Sequence, residues 1–489
     1  MNENWLIVPI LTAMAGGASL FLPVFRQKRT FRELYTLGVT LLTSVLLWML
    51  VLNRPADGLL LLHFTGDLNL TLRLDGMGSI FTALIATLWP LATLYAFEYM
   101  RHAARQNGFL AFYTITFGVT AGIALSGNML TLYMFYEMLT LVTVPLVMHD
   151  LSDEAVRASR KYLYYSLGGA AFAFIGMVFL IVYGMTLEFR PGGILLSGHT
   201  GDRQMLLIIY VMTFFGFSVK AAIFPFHGWL PAVSVAPTPV TALLHAVAVV
   251  KSGAFAVLRL TYFSFGAAYL YGTWAQNVVM AATMITIVYA SSRALKETHF
   301  KRRLAYSTVS NLSYVLFAAT MMAPFGLSAA LCHMLCHAAI KICAFCCAGA
   351  VMHQSGRNYI YELDGIAHKM PFVFTCFTIS AIALPGIPPL AGFLSKWNIA
   401  QAALSSYQPL ARLGVGVLLY SALMTAIYML TVAVRAWSPL KEGHDLQQVR
   451  DPNWYMKLPL ALFSVGIIAL GICGGGIVEL LQQISYGYW

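Results

Sequence analysis

Apolar runs of about 20 residues recur along this chain from end to end, separated mostly by short polar turns. A helix of that length crosses the roughly 30 Å of hydrocarbon in a bilayer. The runs fall near 4–25, 33–52, 77–97, 109–126, 129–148, 162–187, 204–227, 238–262, 273–292, 304–322, 326–352, 371–400, 412–434 and 458–481. The pattern predicts an all-α, polytopic membrane protein with about fourteen transmembrane helices. The longer polar loops lie at 53–76, 188–203, 353–370 and 437–457, and none is long enough for a soluble domain. The first run, "MNENWLIVPILTAMAGGASLFLPVF", lacks a basic leader and a small-residue cleavage site. It is expected to be a spanning helix and not a signal peptide.

Two runs are interrupted. The seventh continues into "GFSVKAAIFPFHGWLPAVSVAPTPV", with Lys220 ahead of Pro225 and Pro231. The twelfth reads "SAIALPGIPPLAGFLSKWNIA", with Lys396 behind Pro385, Pro388 and Pro389. Five spans apart, the two cross in opposite directions, so both lysines fall on the same side of their breaks. This predicts two inverted five-helix repeats, spans four to eight and nine to thirteen, each with one broken helix. Paired discontinuous helices mark ion sites in such folds. The expected divisions are 1–108 (three N-terminal helices), 109–265 and 266–436 (the two repeats), and 437–489 (a cytoplasmic loop and the last helix).

Composition agrees. The chain is 59% hydrophobic and 10% charged, with a net charge of +11, against about 25% charged residues in soluble domains. Assigned alternately to two sides, twenty of the thirty Lys and Arg collect on one side, among them Arg26, Arg101, Arg157, Lys301, Arg357, Lys441 and Lys457. Five lie opposite (Arg54, Arg73, Arg190, Arg203, Arg412) and five within spans (Lys220, Lys251, Arg259, Lys341, Lys396). The positive-inside rule then places both termini outside the cytoplasm. Topology accounts for the basic charge, and nucleic acid is not an expected partner. The seven cysteines all sit in apolar runs and say little about redox compartment.

An ionisable group in hydrocarbon costs at least about 2.5–3.5 kcal/mol, so each needs a reason. Glu137, in "LTLYMFYEMLTLVTVPLV", is the one carboxylate near the middle of a span. It is a polar packing contact or the partner of a buried lysine; the several buried lysines favour the latter. Burial disfavours the charged form of an amine. A carboxylate about 4 Å away, at an effective dielectric near 20, favours it by about 4 kcal/mol. Moving Glu137 relative to Lys220 would therefore switch that amine between charged and neutral. The alternative for Lys220 is snorkelling to an interface, which its central position disfavours. Lys251, after His245, lies deeper in its span. In "CHMLCHAAIKICAFCCAGAVMH", His333, His337 and Lys341 recur every fourth residue and stack on one helix face. They read as a water-linked proton path, with ordinary hydrogen-bonded packing and a zinc or copper site as the alternatives. No nucleotide loop, four-cysteine cluster motif or nucleophile elbow is present. No cofactor is expected in this chain, and redox chemistry must reside in partners.

At these residues the chain resembles the antiporter-like subunits of respiratory complex I, membrane-bound hydrogenases and Mrp-type sodium/proton antiporters. The resemblance rests on "YMFYEM", on "SVKAAIFPFHGWLPAVSVAPTPVTALLHAVAVVKSGAFAVLRL", on "KRRLAYSTVSNLSY", on "HMLCHAAIKICAF" and on "GIPPLAGFLSKW", in order over roughly residues 110 to 400. It implies a proton channel in which Glu137 pairs with Lys220, Lys251 and His245 lead toward His337 and Lys341, and Lys396 releases the proton outward. Two departures stand out. Ala232 follows Pro231 where the family often has an acid, and the chain ends soon after the fourteenth run, without the long lateral helix of the largest complex I member. The expectation is a proton-translocating subunit of a multisubunit, redox-driven complex in the cytoplasmic membrane of a prokaryote, surrounded by lipid and other membrane subunits. The alternatives are an Mrp-type cation/proton antiporter subunit, in which sodium is exchanged for protons, a membrane scaffold, and a haem-binding electron carrier. The last lacks paired histidines on two helices.

Overall fold

Apolar length becomes helix almost throughout the computed structural model, which describes residues 2–66, 68–195, 202–439 and 449–487. In chain order the principal elements are α1 (Val8–Ser19), α2 (Arg29–Asn53), the strands β1 (Leu59–Thr65) and β2 (Leu68–Leu72), α3 (Gly76–Tyr99), α4 (Gln106–Ala124), α5 (Met129–Val147) and α6 (Asp153–Gly184). They continue with α7 (Arg203–Ser218), α8 (Thr238–Ala246), α9 (Val249–Arg259), α10 (Trp274–Lys296), α11 (Phe300–Ala319) and α12 (Pro324–Ser355). The chain closes with α13 (Pro371–Ala383), α14 (Ala391–Ser405), α15 (Pro409–Trp437), α16 (Trp454–Ile472) and α17 (Gly475–Tyr486). Side-chain caps fix several starts: Asp75, Asn128, Ser152 and Thr273 each accept a hydrogen bond from the backbone N–H three residues on, meeting a donor that has no partner within its helix.

Among the described residues, ten helices are long and apolar enough to cross a membrane, with α8, α9 and the turn after them counted as one. The other predicted spans are built differently. α1 has 12 residues, α7 has 16 and α13 has 13, while α11 opens on Lys301, Arg302 and Arg303. The seventh run leaves the helix after Ser218, nine residues short of its expected end, because the backbone turns through a left-handed Ala222. The twelfth run is two helices, α13 and α14, with the prolines in the gap.

Two features were not expected. The eighth run is itself interrupted between His245 and Lys251: Leu243 O accepts from both Val247 N and Ala248 N, and α9 starts afresh. It ends in a π-helical turn, Leu260–Phe265. The loop at 53–76 holds an antiparallel hairpin with Leu59 opposite Leu72. The hairpin docks through Thr71 N to Thr131 Oγ1 at 2.9 Å and Asn128 Nδ2 to Asn69 O at 2.6 Å.

The centre of the bundle is the stretch Thr238–Phe265, wholly buried in its apolar window, and α12, with 94% buried. α2, α6 and α16 bury only 33% and face outward. Several basic residues of the charge-rich side fold back onto carbonyls: Lys301 Nζ reaches Ala236 O at 2.9 Å and Arg303 Nη1 reaches Tyr428 O at 2.9 Å. Lys441 lies outside the described residues. α6 and α7 cross at Gly169 and Gly216, where a Cβ on either would lie 2.6–2.7 Å from the other's carbonyl oxygen. Small residues at such crossings let helix backbones approach inside a membrane.

Gly169→Val is expected to cost about 1–3 kcal/mol through overpacking and to lower the thermal midpoint of the detergent-solubilised protein. Gly168→Val, one residue away with no atom within 4 Å of its Cβ position, is expected to leave the midpoint unchanged. Equal midpoints for the two variants would refute this crossing.

Candidate functional site

The first cluster forms where α7 breaks. Lys220, fully buried just beyond the end of α7, turns its amine toward α5. Glu137 Oε1 lies 3.5 Å from Lys220 Nζ. The same amine donates to the main-chain carbonyl of Tyr136 and sits 3.4 Å from the centroid of the Tyr136 ring. Tyr136 is held in turn by its hydroxyl, which donates to Phe217 O at 2.9 Å. The ammonium is thus met by a carboxylate, a carbonyl and a π-face, all of which favour the charged form. Glu137 is not sealed: its side chain keeps 21% exposure on the flank of the bundle.

α9 brings the next lysine close to this break. A Cβ on Gly253 would lie 2.6 Å from Ala221 N and 2.8 Å from Lys220 C, so a glycine there is what lets α9 lie against the Lys220 backbone. Two residues earlier, Lys251 Nζ reaches His337 Nδ1 on α12 at 2.5 Å. The His337 and His333 rings stack at 5.7 Å between centroids, and His333 Nδ1 lies 2.9 Å from Ser395 Oγ on α14. Lys341, one turn beyond His337, donates to Leu304 O at 2.9 Å and to Ser307 Oγ. Lys396 Nζ donates to Pro385 O in the second break at 3.2 Å, and lies 4.9 Å from the ring of Tyr314. That ring is also 5.3 Å from the His333 ring.

Contact therefore links Glu137 with Lys220, Lys251 with His337, and His337 with His333. Lys341 is held by α11 and Lys396 by its own break. His245 is fully buried beside Phe345, its ring centroid 4.7 Å away, and neither ring nitrogen has a protein hydrogen-bond partner. Tyr136, Ser307, Tyr314 and Ser395 were not singled out from the sequence, although Tyr136 adjoins Glu137 and Ser395 adjoins Lys396. Among the described residues no cluster of three or more His, Cys, Asp and Glu has the spacing to hold a metal ion.

Residues 126–429, more than half of the chain, match the family model described as NADH:quinone oxidoreductase/Mrp antiporter, transmembrane. The chain belongs to this family. The stretch holding every side chain of the clusters above lies inside the matched region. Two relatives illustrate the family's breadth. The chain is 30% identical over 413 residues to a probable K(+)/H(+) antiporter protein of Rhizobium meliloti, covering 83% of this chain and 40% of that one. It is 28% identical over 429 residues to NADH-quinone oxidoreductase subunit N of Desulforudis audaxviator, covering 84% of each. The chain thus spans less than half of the Rhizobium protein.

Two solved assemblies carry the same antiporter-like fold. One chain of the membrane-bound sulfane sulfur reductase, an archaeal respiratory membrane complex, superposes with a TM-score of 0.86 at 22% identity, over 99% of this chain and 97% of that one. One chain of the Mrp complex from Dietzia sp. superposes with a TM-score of 0.83 at 20% identity, over 99% and 96%.

Because Lys220 contacts the ring and carbonyl of Tyr136, not its hydroxyl, Tyr136→Phe is expected to keep ion transport within about twofold of wild type. Tyr136→Leu removes a cation–π contact worth about 0.5–2 kcal/mol and is expected to slow transport about tenfold in vesicles. Equal rates for the two variants would show that the ring plays no part.

Proposed function

We propose that this chain is a proton-translocating, antiporter-like subunit of a multisubunit, redox-driven membrane complex of the complex I and membrane-bound hydrogenase type. The observation that carries the reading is the Glu137–Lys220 contact, beside a helix break and followed by a series of buried amines and imidazoles. An amine held by one carboxylate is charged or neutral according to where that carboxylate sits. Swinging Glu137 away from Lys220 releases a proton toward Lys251, and its return draws the next one in. From Lys251 the proton passes to His337 and His333, with Lys341 of α12, held by α11, a side store and Lys396 the exit. His245, with Ser252, His333 Nε2 and His337 Nε2, presents buried polar atoms without a protein partner; such atoms are where internal water binds and where a proton wire is completed.

We read the helices as fourteen spans, with the breaks at Lys220 and Lys396 in corresponding places of two inverted repeats, 109–265 and 266–436. In this reading both termini and the hairpin face outward from the cytoplasmic membrane of a prokaryote, and the charge-rich loops face the cytoplasm. Residues 1–108 and 437–489 flank the repeats. The partners are other integral membrane subunits, one of which covers the exposed flank of Glu137, together with lipid. The electron chemistry belongs to those partners, and no cofactor is assigned to this chain.

A second reading, membership of an Mrp-type cation/proton antiporter, is favoured by the 30% identity to the Rhizobium antiporter protein. It shares the proton path and differs in the driving gradient.

In vesicles carrying the assembled complex, Glu137→Gln is expected to abolish driven proton transport and leave assembly intact, and Lys220→Ala to do the same. Wild-type rates in both variants would leave only a scaffold. Transport that requires sodium and ignores redox substrates would select the antiporter.

A further inference from the structure

Of the described ion pairs, two join a fully buried cation to a partly exposed carboxylate: Glu137–Lys220 and Asp75–Arg259. The second has no part in the path above. Arg259 is 1% exposed and Asp75 15%. Their contact is forked: Arg259 Nη2 donates to Asp75 Oδ1 at 2.8 Å and Nη1 donates to Oδ2. Three phenyl rings surround the guanidinium, with Cζ 4.8 Å from Phe189, 5.0 Å from Phe255 and 4.7 Å from Phe263. Asp75 also caps α3 and directly follows the hairpin, whose neighbour Arg73 donates to Phe189 O at 2.5 Å.

The location of this pair gives it a role. Lys251, Phe255 and Arg259 recur every fourth residue on α9 and form one stripe, with Arg259 about 12 Å beyond Lys251 toward the hairpin end. Between them the Phe255 ring meets Phe81 of α3 at 5.0 Å. Along this stripe the Phe81 and Phe255 rings and then the Arg259 guanidinium lie between Lys251 and the hairpin face. Arginine stays charged at every attainable pH, so it cannot accept and pass on a proton. A fixed cation in a narrow polar path is also an electrostatic barrier to other cations.

We propose that Asp75–Arg259 and the Phe81–Phe255 layer form a plug that closes the direct route from Lys251 to the hairpin face, so that protons reaching Lys251 leave only through His337 toward Lys396. Asp75 acts by positioning: its carboxylate holds the guanidinium across the route. The inference rests on the proton-translocating reading. It gives the first half of the molecule a shut outer end and makes coupling depend on a residue pair outside the conducting series.

The test uses the assembled complex in vesicles, with an imposed membrane potential, no driving substrate and an internal pH dye. Removing both charges leaves no unpaired buried ion and is compatible with folding, so the principal variant is Asp75→Asn with Arg259→Met. It is expected to raise passive proton flux at least fivefold over wild type, and adding Lys251→Ala is expected to return the flux to the wild-type level. Phe255→Ala, which keeps the ion pair, is expected to raise it about twofold and serves if the double variant does not assemble. Wild-type flux in an assembled double variant, or in Phe255→Ala where that variant is the one used, overturns the plug. So does a leak that survives Lys251→Ala. Failure of the underlying reading shows separately, as driven transport unaffected by Glu137→Gln in the otherwise wild-type complex.

Discussion

The structure is organised around one constraint: a charged group inside a bilayer must be met by protein. Isolated ions in hydrocarbon are too costly to persist, and backbone polar groups there have no water to turn to. Lys220, Lys341 and Lys396 each take a main-chain carbonyl, and two of these three carbonyls belong to other helices. Lys220 and Arg259 add a carboxylate and aromatic faces. The helix interruptions follow from the same requirement. At the second break the chain leaves its helix and Pro385 O becomes free to receive Lys396, and at the first the departure after Ser218 carries Lys220 toward Tyr136 and Glu137.

These contacts are graded in strength. The forked Asp75–Arg259 pair, ringed by phenyl groups, is a fixed arrangement with two parallel charge-assisted hydrogen bonds. The Glu137–Lys220 pair has one carboxylate oxygen at 3.5 Å and a partly exposed acid, a looser contact. Lys251 meets the Nδ1 of the His337 imidazole and is paired with no carboxylate among the described residues.

Much of this was legible in the chain because hydrocarbon imposes a simple code. Span length, the basic bias of alternate loops and the proline breaks at Lys220 and Lys396 are all one-dimensional signals, and Glu137, His333, His337 and Lys341 stand out because ionisable residues are rare in apolar runs. The residues that were overlooked share the opposite property. Tyr136, Ser307, Tyr314 and Ser395 are ordinary in a membrane helix, and only their contacts with lysine and histidine single them out. The break between His245 and Lys251 carries no proline or glycine and left no mark in the pattern.

By itself, then, the sequence determined that the chain is a polytopic helical membrane protein and which side chains are out of place in apolar runs, since both are matters of local solvation cost. Only the tertiary structure decided who meets whom: that Lys251 lies against His337 and not His245, that Lys341 is held by α11, and that Asp75 reaches across 184 positions to Arg259. Partner choice depends on how helices cross and how deeply glycine lets them approach, and those are properties of packing that no single run of residues contains.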